Sequence, residues 1–141
     1  MISDITLNIP STIEFGVGKI VSLSDHLQSN KRVFFLVDKP ILEAVEPIIK
    51  IVAQSGAQIE VSTEVVPEPP IESLEKLLMP VKQFNPDAVV GIGGGSTMDL
   101  AKLVSVLFTG EQKMEDIIGM GSVLSRTGKL VPAATTSGTG S

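Results

Sequence analysis

Two short, almost purely apolar segments constrain the fold of this 141-residue chain more than any other feature. They read RVFFLVD at residues 32–38 and AVVGIG at residues 88–93, and are rich in β-branched and aromatic side chains. Continuous apolar runs of this length are typical of parallel strands that are covered on both faces. Each run is followed by a stretch with apolar residues at helical spacing, which favours repeated strand–helix–strand units.

The remaining patterns predict the other helices and strands. Residues 5–18, ITLNIPSTIEFGVG, alternate and break at Pro10 and Gly16, which predicts two short strands or an N-terminal β-hairpin. Pro47 should interrupt the helical pattern that begins at residue 41, so a new helix is expected to start near it. Helices are predicted at residues 19–28, 47–55, 71–84 and 96–108, and further strands at residues 57–66 and 129–136. The expected fold is α/β, with a Rossmann-like, doubly wound and mostly parallel sheet.

The composition excludes several function classes. Eleven basic against 16 acidic residues give a net charge of −5, and the basic residues are scattered, which argues against a nucleic-acid partner. The absence of cysteine and of a second histidine excludes a zinc site with N/S ligands within these residues. The single histidine, His26, lies in a predicted amphipathic helix and is interpreted as a surface residue rather than a base, which argues against a Ser-His-Asp triad. No apolar run approaches the roughly 20 residues of a membrane span, and the N-terminus lacks a signal-peptide pattern, so we expect a cytoplasmic protein.

A glycine cluster at the end of the second apolar run is the first candidate site. Gly93, Gly94 and Gly95 follow the strand directly, and a helix is predicted to begin at about Ser96. Consecutive glycines expose backbone N–H groups, and a helix N-terminus adds a positive dipole end, so the segment suits a phosphate or pyrophosphate. The alternative is a tight turn in which Ser96 and Asp99 form a capping box.

The second candidate site residue is Asp38, at the carboxyl end of the first apolar run. Ligands of open α/β sheets bind at these strand ends, where an acid can accept hydrogen bonds from the ribose of an adenosine. A carboxylate there would repel a 2′-phosphate and would favour NAD over NADP. The alternative is a turn or N-cap aspartate. Asp99 and Lys102, three residues apart on the predicted helix, can equally form a solvated ion pair.

A third candidate site follows the last predicted strand. Thr135, Thr136 and Thr139 place hydroxyl groups around Gly138, where the phosphate or nicotinamide end of a cofactor could be held. Their composition would equally fit a flexible linker.

Five segments in order resemble the N-terminal domain of the iron-containing (group III, metal-dependent) alcohol dehydrogenase family. They read IEFGVGKI, LVDKP, PEPPIE, VVGIGGGSTMDLAK and PAATTSGTGS, and they cover essentially the whole chain. Many members of that family have Asn-Pro where this chain has Glu68-Pro69. The resemblance implies that residues 1–141 are the dinucleotide-binding domain of a longer enzyme.

The resemblance also implies roles for individual residues. The family's GGGSxxDxAK motif binds the cofactor pyrophosphate, and its positions correspond here to Gly93, Gly94, Gly95, Ser96, Asp99 and Lys102. Asp38 corresponds to the acid that holds the adenosine ribose. The stretch that lines the cleft near the cofactor corresponds to Thr135, Thr136, Gly138, Thr139, Gly140 and Ser141.

The activity that the resemblance implies is hydride transfer between a small alcohol or aldehyde and NAD, in a homodimer. The family's Fe²⁺ or Zn²⁺ is held by an all-helical second domain, none of whose ligands can be matched in this sequence, so this chain alone is expected to be inactive. Glycerol dehydrogenase-, maleylacetate reductase- and dehydroquinate synthase-like enzymes share this layout and remain alternatives. So do a non-catalytic nucleotide-binding module and, less well supported, a receiver- or flavodoxin-like domain.

Overall fold

The computed structural model describes residues 12–111, 113 and 128–135, which form an α/β fold around one parallel sheet. The strands are β1 (Arg32–Val37), β2 (Gln58–Ser62), β3 (Ala88–Gly93) and β4 (Lys129–Ala134). The α-helices are α1 (Leu23–Leu27), α2 (Leu42–Gln54), α3 (Ile71–Phe84) and α4 (Gly95–Leu107), and 3₁₀ turns cover Lys19–Ser22 and Lys39–Ile41. All described strands pair in parallel in the order β2-β1-β3-β4, which confirms the predicted fold class.

The sheet is covered on both faces because successive side chains of a strand point to opposite sides. On one face, Val33, Phe35 and Val37 of β1 pack in an apolar cluster with α1 and α2. On the other face, Phe34 and Leu36 belong to a second cluster, which is built with α3 and α4. All six residues of β3 are buried, as the apolar run predicts for a central strand.

The predicted interruption at Pro47 is wrong, because α2 continues through it from Leu42 to Gln54. Proline lacks the N–H that would bond the carbonyl of Glu43, but both residues are exposed, so water can reach that carbonyl. Buried side chains lie on both sides of the proline, at Val45, Ile48, Ile49 and Val52, and their packing favours one continuous helix. Pro80 is likewise exposed within the uninterrupted α3.

Two predicted strand segments differ from the structure. β2 ends at Ser62 rather than near residue 66, because the N–H of Val65 turns back to bond the carbonyl of Thr63 at 2.9 Å. Part of the predicted hairpin, residues 5–11, lies outside the described residues, and residues 12–18 form no strand. Gly18 has a φ of +73° and starts the 3₁₀ turn, so the chain bends where a second strand was expected.

Within the described part of the chain, no helix has the length and apolar character needed to cross a membrane.

Candidate functional site

The strand order creates a crevice between the carboxyl ends of β1 and β3. The chain leaves β1 for β2 on one side and returns to β3 on the other, so β1 and β3 flank the topological switch point. In open α/β sheets this is where ligands bind. Backbone bonds join the neighbouring strands at this edge: the N–H of Asp38, after β1, donates to Ile92 O of β3 at 3.0 Å, and that of Thr135, after β4, donates to Gly93 O at 2.9 Å. The structure therefore brings three of the predicted segments to one sheet edge.

The glycine turn leads into α4 without a capping side chain. The N-cap is Gly94, the helix begins at Gly95, and no side chain of the helix caps it. Ser96 is exposed inside the first turn, and Asp99 instead bonds the ammonium of Lys102 at 3.2 Å. The alternative of a capping box from Ser96 to Asp99 is therefore wrong, and the predicted helix start was one residue late.

The carboxylate of Asp38 takes the place of that cap. Its Oδ2 accepts a hydrogen bond from the N–H of Gly94 at 2.9 Å, and its Oδ1 accepts one from the hydroxyl of Thr97. Asp38 is partly buried, and Thr97 is completely buried. A negative charge near a helix N-terminus is favourable because it faces unpaired N–H groups and the positive end of the dipole.

Gly93, the last residue of β3, lies against the side chains of both Asp38 and Thr97. A Cβ on Gly93 would lie 2.5 Å from Cγ of Asp38 and 2.6 Å from the hydroxyl oxygen of Thr97. Real Cβ atoms do not approach other heavy atoms so closely, so a larger residue would have to push the carboxylate out of its place. The first glycine of the turn therefore leaves room for Asp38.

The N-terminus of α4 leaves donors available for an anion. Helix geometry gives the N–H groups of Gly95, Ser96 and Thr97 no carbonyl partner within the helix. The dipole of this 13-residue helix adds partial positive charge at the same end.

Lys102 and Asp99 form an ion pair on the surface of α4, with side chains 43% and 60% exposed. This agrees with the alternative interpretation of these two residues as a solvated ion pair.

The third predicted segment is described only at its start. Thr135 is exposed and follows the last residue of β4 at the same edge as Asp38. Thr136, Gly138 and Thr139 lie outside the described residues, and their predicted role stays a prediction.

A cavity of about 380 Å³ lies beside the carboxyl end of β2. Its wall combines the loop after β2, the first turns of α3 and Leu100 of α4, and it is mostly apolar. The lining residues are Thr63, Glu64, Val65, Val66, Pro69, Ser73, Leu74, Lys76, Leu77 and Leu100. The loop contains Glu68, whose φ of +45° is uncommon for a residue other than glycine.

Sequence reasoning missed Thr97. Its neighbours in the motif were singled out for their residue types, whereas Thr97 matters because it is buried against Asp38, 59 residues earlier in the chain. The helical spacing from the buried Leu100 and Ala101 could have placed Thr97 on the inward face of α4. No sequence pattern identifies the partner of its hydroxyl.

Comparisons with known proteins identify the family and the fold. The sequence model of the family described as "Iron-containing alcohol dehydrogenase" matches residues 10–141. The chain is 34% identical over 116 residues to Long-chain-alcohol dehydrogenase 1 of Geobacillus thermodenitrificans, covering 79% of this chain and 29% of that protein. It is 31% identical over 96 residues to the NAD-dependent methanol dehydrogenase of Bacillus methanolicus, covering 68% of this chain and 25% of that protein.

A solved structure shows the same fold. The iron-containing alcohol dehydrogenase of Thermococcus thioreducens superposes with a TM-score of 0.77 at 27% identity, over 87% of this chain and 35% of that one. The chain thus spans about a third or less of the length of these relatives, at 25%, 29% and 35%. Because the family model matches nearly every residue and the fold agrees, the chain belongs to the iron-containing alcohol dehydrogenase family.

Proposed function

We propose that this chain is the cofactor-binding part of an NAD-dependent, metal-dependent alcohol dehydrogenase that acts on a small alcohol or aldehyde. The observation that carries the proposal is the position of Asp38, whose carboxylate is held against the glycine turn at the switch point. An acceptor for sugar hydroxyls and a cradle for phosphates then lie side by side, as a dinucleotide requires.

The residues of the crevice fit the pyrophosphate and ribose of NAD. Gly94 uses its N–H on Asp38, so the pyrophosphate would bind the next N–H groups, those of Gly95, Ser96 and Thr97. Asp38 has accepted one hydrogen bond on each oxygen, and a carboxylate has about four acceptor sites in total. The remaining sites can accept hydrogen bonds from the ribose hydroxyls.

The same arrangement favours NAD over NADP. A 2′-phosphate would stand directly beside the carboxylate of Asp38, and the repulsion between the two negative charges opposes its binding. One relative carries "NAD-dependent" in its name, the methanol dehydrogenase of Bacillus methanolicus, which is consistent with this preference.

The other features of this edge suit the ends of the dinucleotide. The apolar cavity beside β2 has the size and lining for the adenine ring, and Thr135, at the end of β4, would lie toward the nicotinamide. When bound, the nicotinamide carries the hydride that an alcohol loses on oxidation. The chain's own contribution is to bind and orient that cofactor.

No metal site is assigned to this part of the protein. The described residues contain no group of three or more His, Cys, Asp or Glu side chains that could hold a metal ion. This chain spans only 29% and 35% of the length of two relatives, and we place the family's Fe²⁺ or Zn²⁺ in a helical domain of the remainder.

We further propose that the enzyme is a cytoplasmic homodimer with the N-terminal segment at its interface. Ile13, Phe15 and Val17 alternate along this segment and are 70%, 98% and 108% exposed. Exposed apolar side chains at the spacing of a strand are a typical edge for pairing with another chain.

A fluorescence titration of the chain with NADH and, in parallel, NADPH tests the cofactor assignment. The chain has no Trp or Tyr, so emission of the reduced nicotinamide is observed with little protein background. We expect NADH to bind more tightly than NADPH, and Asp38→Gly to weaken NADH binding and remove the preference. Binding of neither cofactor, or a preference unchanged in Asp38→Gly, would contradict the proposal.

The matched control is Asp99→Asn. Asp99 is the other aspartate of the region, but its side chain is 60% exposed and paired with Lys102 on the surface of α4. Its replacement should leave the ratio of the two dissociation constants unchanged. A loss of preference equal to that of Asp38→Gly would show that general negative charge, rather than Asp38, selects the cofactor.

A further inference from the structure

Thr97 has a buried hydroxyl that the helix itself does not need. It is the third residue of α4, completely buried, and one of two buried polar residues among those described. Burying a hydroxyl costs free energy unless it finds a partner, and valine would fill the same space without that cost. The partner of the Thr97 hydroxyl is the carboxylate of Asp38.

The other buried hydroxyl shows what an ordinary one does in this helix. Ser105 is 2% exposed and donates to the carbonyl of Lys102, three residues earlier in α4, at 2.7 Å. Its bond stays within the helix. Thr97 instead donates to a side chain that follows β1, across the switch point.

The two hydrogen bonds to Asp38 together fix its orientation. With Gly94 on Oδ2 and Thr97 on Oδ1, the carboxylate is held at both oxygens and cannot turn about its Cβ–Cγ bond without losing one of them. Gly93 leaves the space in which it lies. The Thr97 side chain is buried, so its hydroxyl acts on a ligand only through Asp38.

We infer that Thr97 is a positioning residue for cofactor selection: its hydroxyl holds the Asp38 carboxylate in the orientation that accepts the ribose hydroxyls of NAD and excludes a 2′-phosphate. This inference rests on the proposed binding of NAD at the switch point. Without the hydroxyl, Asp38 keeps only the Gly94 N–H as a fixed donor and can rotate away from the ribose. Loss of the hydroxyl removes none of the backbone N–H groups that are proposed to bind the phosphates of the cofactor.

The test compares Thr97→Val, Thr97→Ser and Ser105→Ala in titrations with NADH and NADPH, with thermal unfolding measured in parallel. Valine keeps the shape of threonine and removes the hydroxyl, serine keeps the hydroxyl, and Ser105→Ala removes a buried hydroxyl that does not contact Asp38. We expect Thr97→Val to raise the NADH dissociation constant about tenfold while that for NADPH changes less than about twofold. Thr97→Ser should retain the preference, and Ser105→Ala should match the wild-type chain.

A double-mutant cycle separates positioning from a general loss of structure. If Thr97 acts through Asp38, Thr97→Val should have no further effect on NADH binding when Asp38→Gly is already present. A merely structural role would weaken binding in both backgrounds and would affect NADH and NADPH alike. A lower melting temperature of a variant does not change the ratio of its two dissociation constants, because NADH and NADPH are titrated against the same folded variant.

The outcomes distinguish this inference from the function on which it rests. A wild-type chain that prefers NADH, together with a Thr97→Val variant of unchanged preference, overturns the role of Thr97 alone. Equal losses for NADH and NADPH in Thr97→Val also overturn it. A wild-type chain that binds neither cofactor overturns the proposed function and this inference together.

Discussion

Gly91 of β3 faces Ala101 of α4 so closely that a Cβ on the glycine would lie 2.6 Å from the alanine Cβ. The helix therefore packs on the strand at a distance that only glycine permits. We expect Gly91→Ala to lower the free energy of unfolding by about 1–3 kcal/mol, because the helix must shift or the strand must bend. Urea unfolding measures the loss.

The compensating change identifies the contact. In Gly91→Ala combined with Ala101→Gly, the methyl group moves from the helix to the strand and the close approach is restored. Ala101→Gly alone should cost about 1 kcal/mol through helix propensity. We expect the double variant to be more stable than the sum of the single losses predicts. Strict additivity would show that the two positions do not meet.

Asp87 ties the start of β3 to the start of β1. Its carboxylate accepts hydrogen bonds from the backbone N–H of Lys31 at 2.8 Å and of Arg32 at 3.1 Å, and from the Asn30 amide at 3.3 Å. Burial raises the pKa of the carboxyl, but these hydrogen bonds together outweigh it and hold the pKa below its ordinary value of 3.8.

A lowered pKa makes stability depend on pH in a defined direction. The charged form of Asp87 is favoured by folding, so its contribution is present above pH 3.8 and is lost as the pH falls through the lower folded-state pKa. Asp87→Asn should destabilise the chain by about 1–3 kcal/mol at neutral pH. The variant should also lose less stability than the wild type on acidification, as measured by urea unfolding at a series of pH values. Parallel curves would contradict the role of Asp87.

Pro47 lies in the interior of α2 but is exposed, so a substitution there measures how much the proline lowers the free energy of unfolding without disturbing the core. Pro47→Ala restores an N–H that can bond the carbonyl of Glu43 and removes the clash of the ring with that carbonyl. We expect a gain of about 1 kcal/mol, because the lost rigidity of the unfolded chain offsets part of the benefit. Pro40, in the first turn of a 3₁₀ helix, is the matched control, and Pro40→Ala should bring no gain. A Pro47→Ala variant no more stable than the wild type would contradict this account.

Phe15, 98% exposed on the N-terminal segment, tests the proposed dimer. If a second copy covers this segment, Phe15→Ser should weaken dimerisation at least about tenfold, because burying a phenyl group contributes roughly 1.5–3 kcal/mol. Sedimentation velocity over a range of concentrations measures this. Ile51→Ser removes a similarly apolar side chain, 47% exposed on α2, and should leave the association unchanged. A wild-type chain that sediments as a monomer at all concentrations would refute the dimer.

The central strands could be predicted from sequence because their apolar runs reflect burial on both faces. The edge strand β2 was predicted too long, since its alternating pattern continues to residue 66 while the backbone already turns at Thr63. The effect of Pro47 was misjudged for a related reason: local proline chemistry predicts a break, and the packing of Ile48 and Val52 on the sheet outweighs it.

The candidate site was predictable where backbone geometry defines it. Three glycines between a strand and a helix predict either an anion site or a tight turn at that point, and Asp38 at a neighbouring strand end follows from the order of the elements. The hydrogen bond from Thr97 to Asp38 could not be predicted. It depends on the rotation of α4 on the sheet, which follows from the packing of Leu100, Ala101 and Val104 rather than from any local pattern.

β1 and β3 pair in a register that begins at Val33 and Ala88, which lie far apart in the sequence. The crevice between the carboxyl ends of these two strands exists only where they are paired. Asp38 and Thr97 are 59 residues apart in the sequence and meet only where β1 and α4 both pack against β3, so the crevice is a property of the assembled sheet. If NAD binds there as proposed, it stabilises the assembled sheet by mass action.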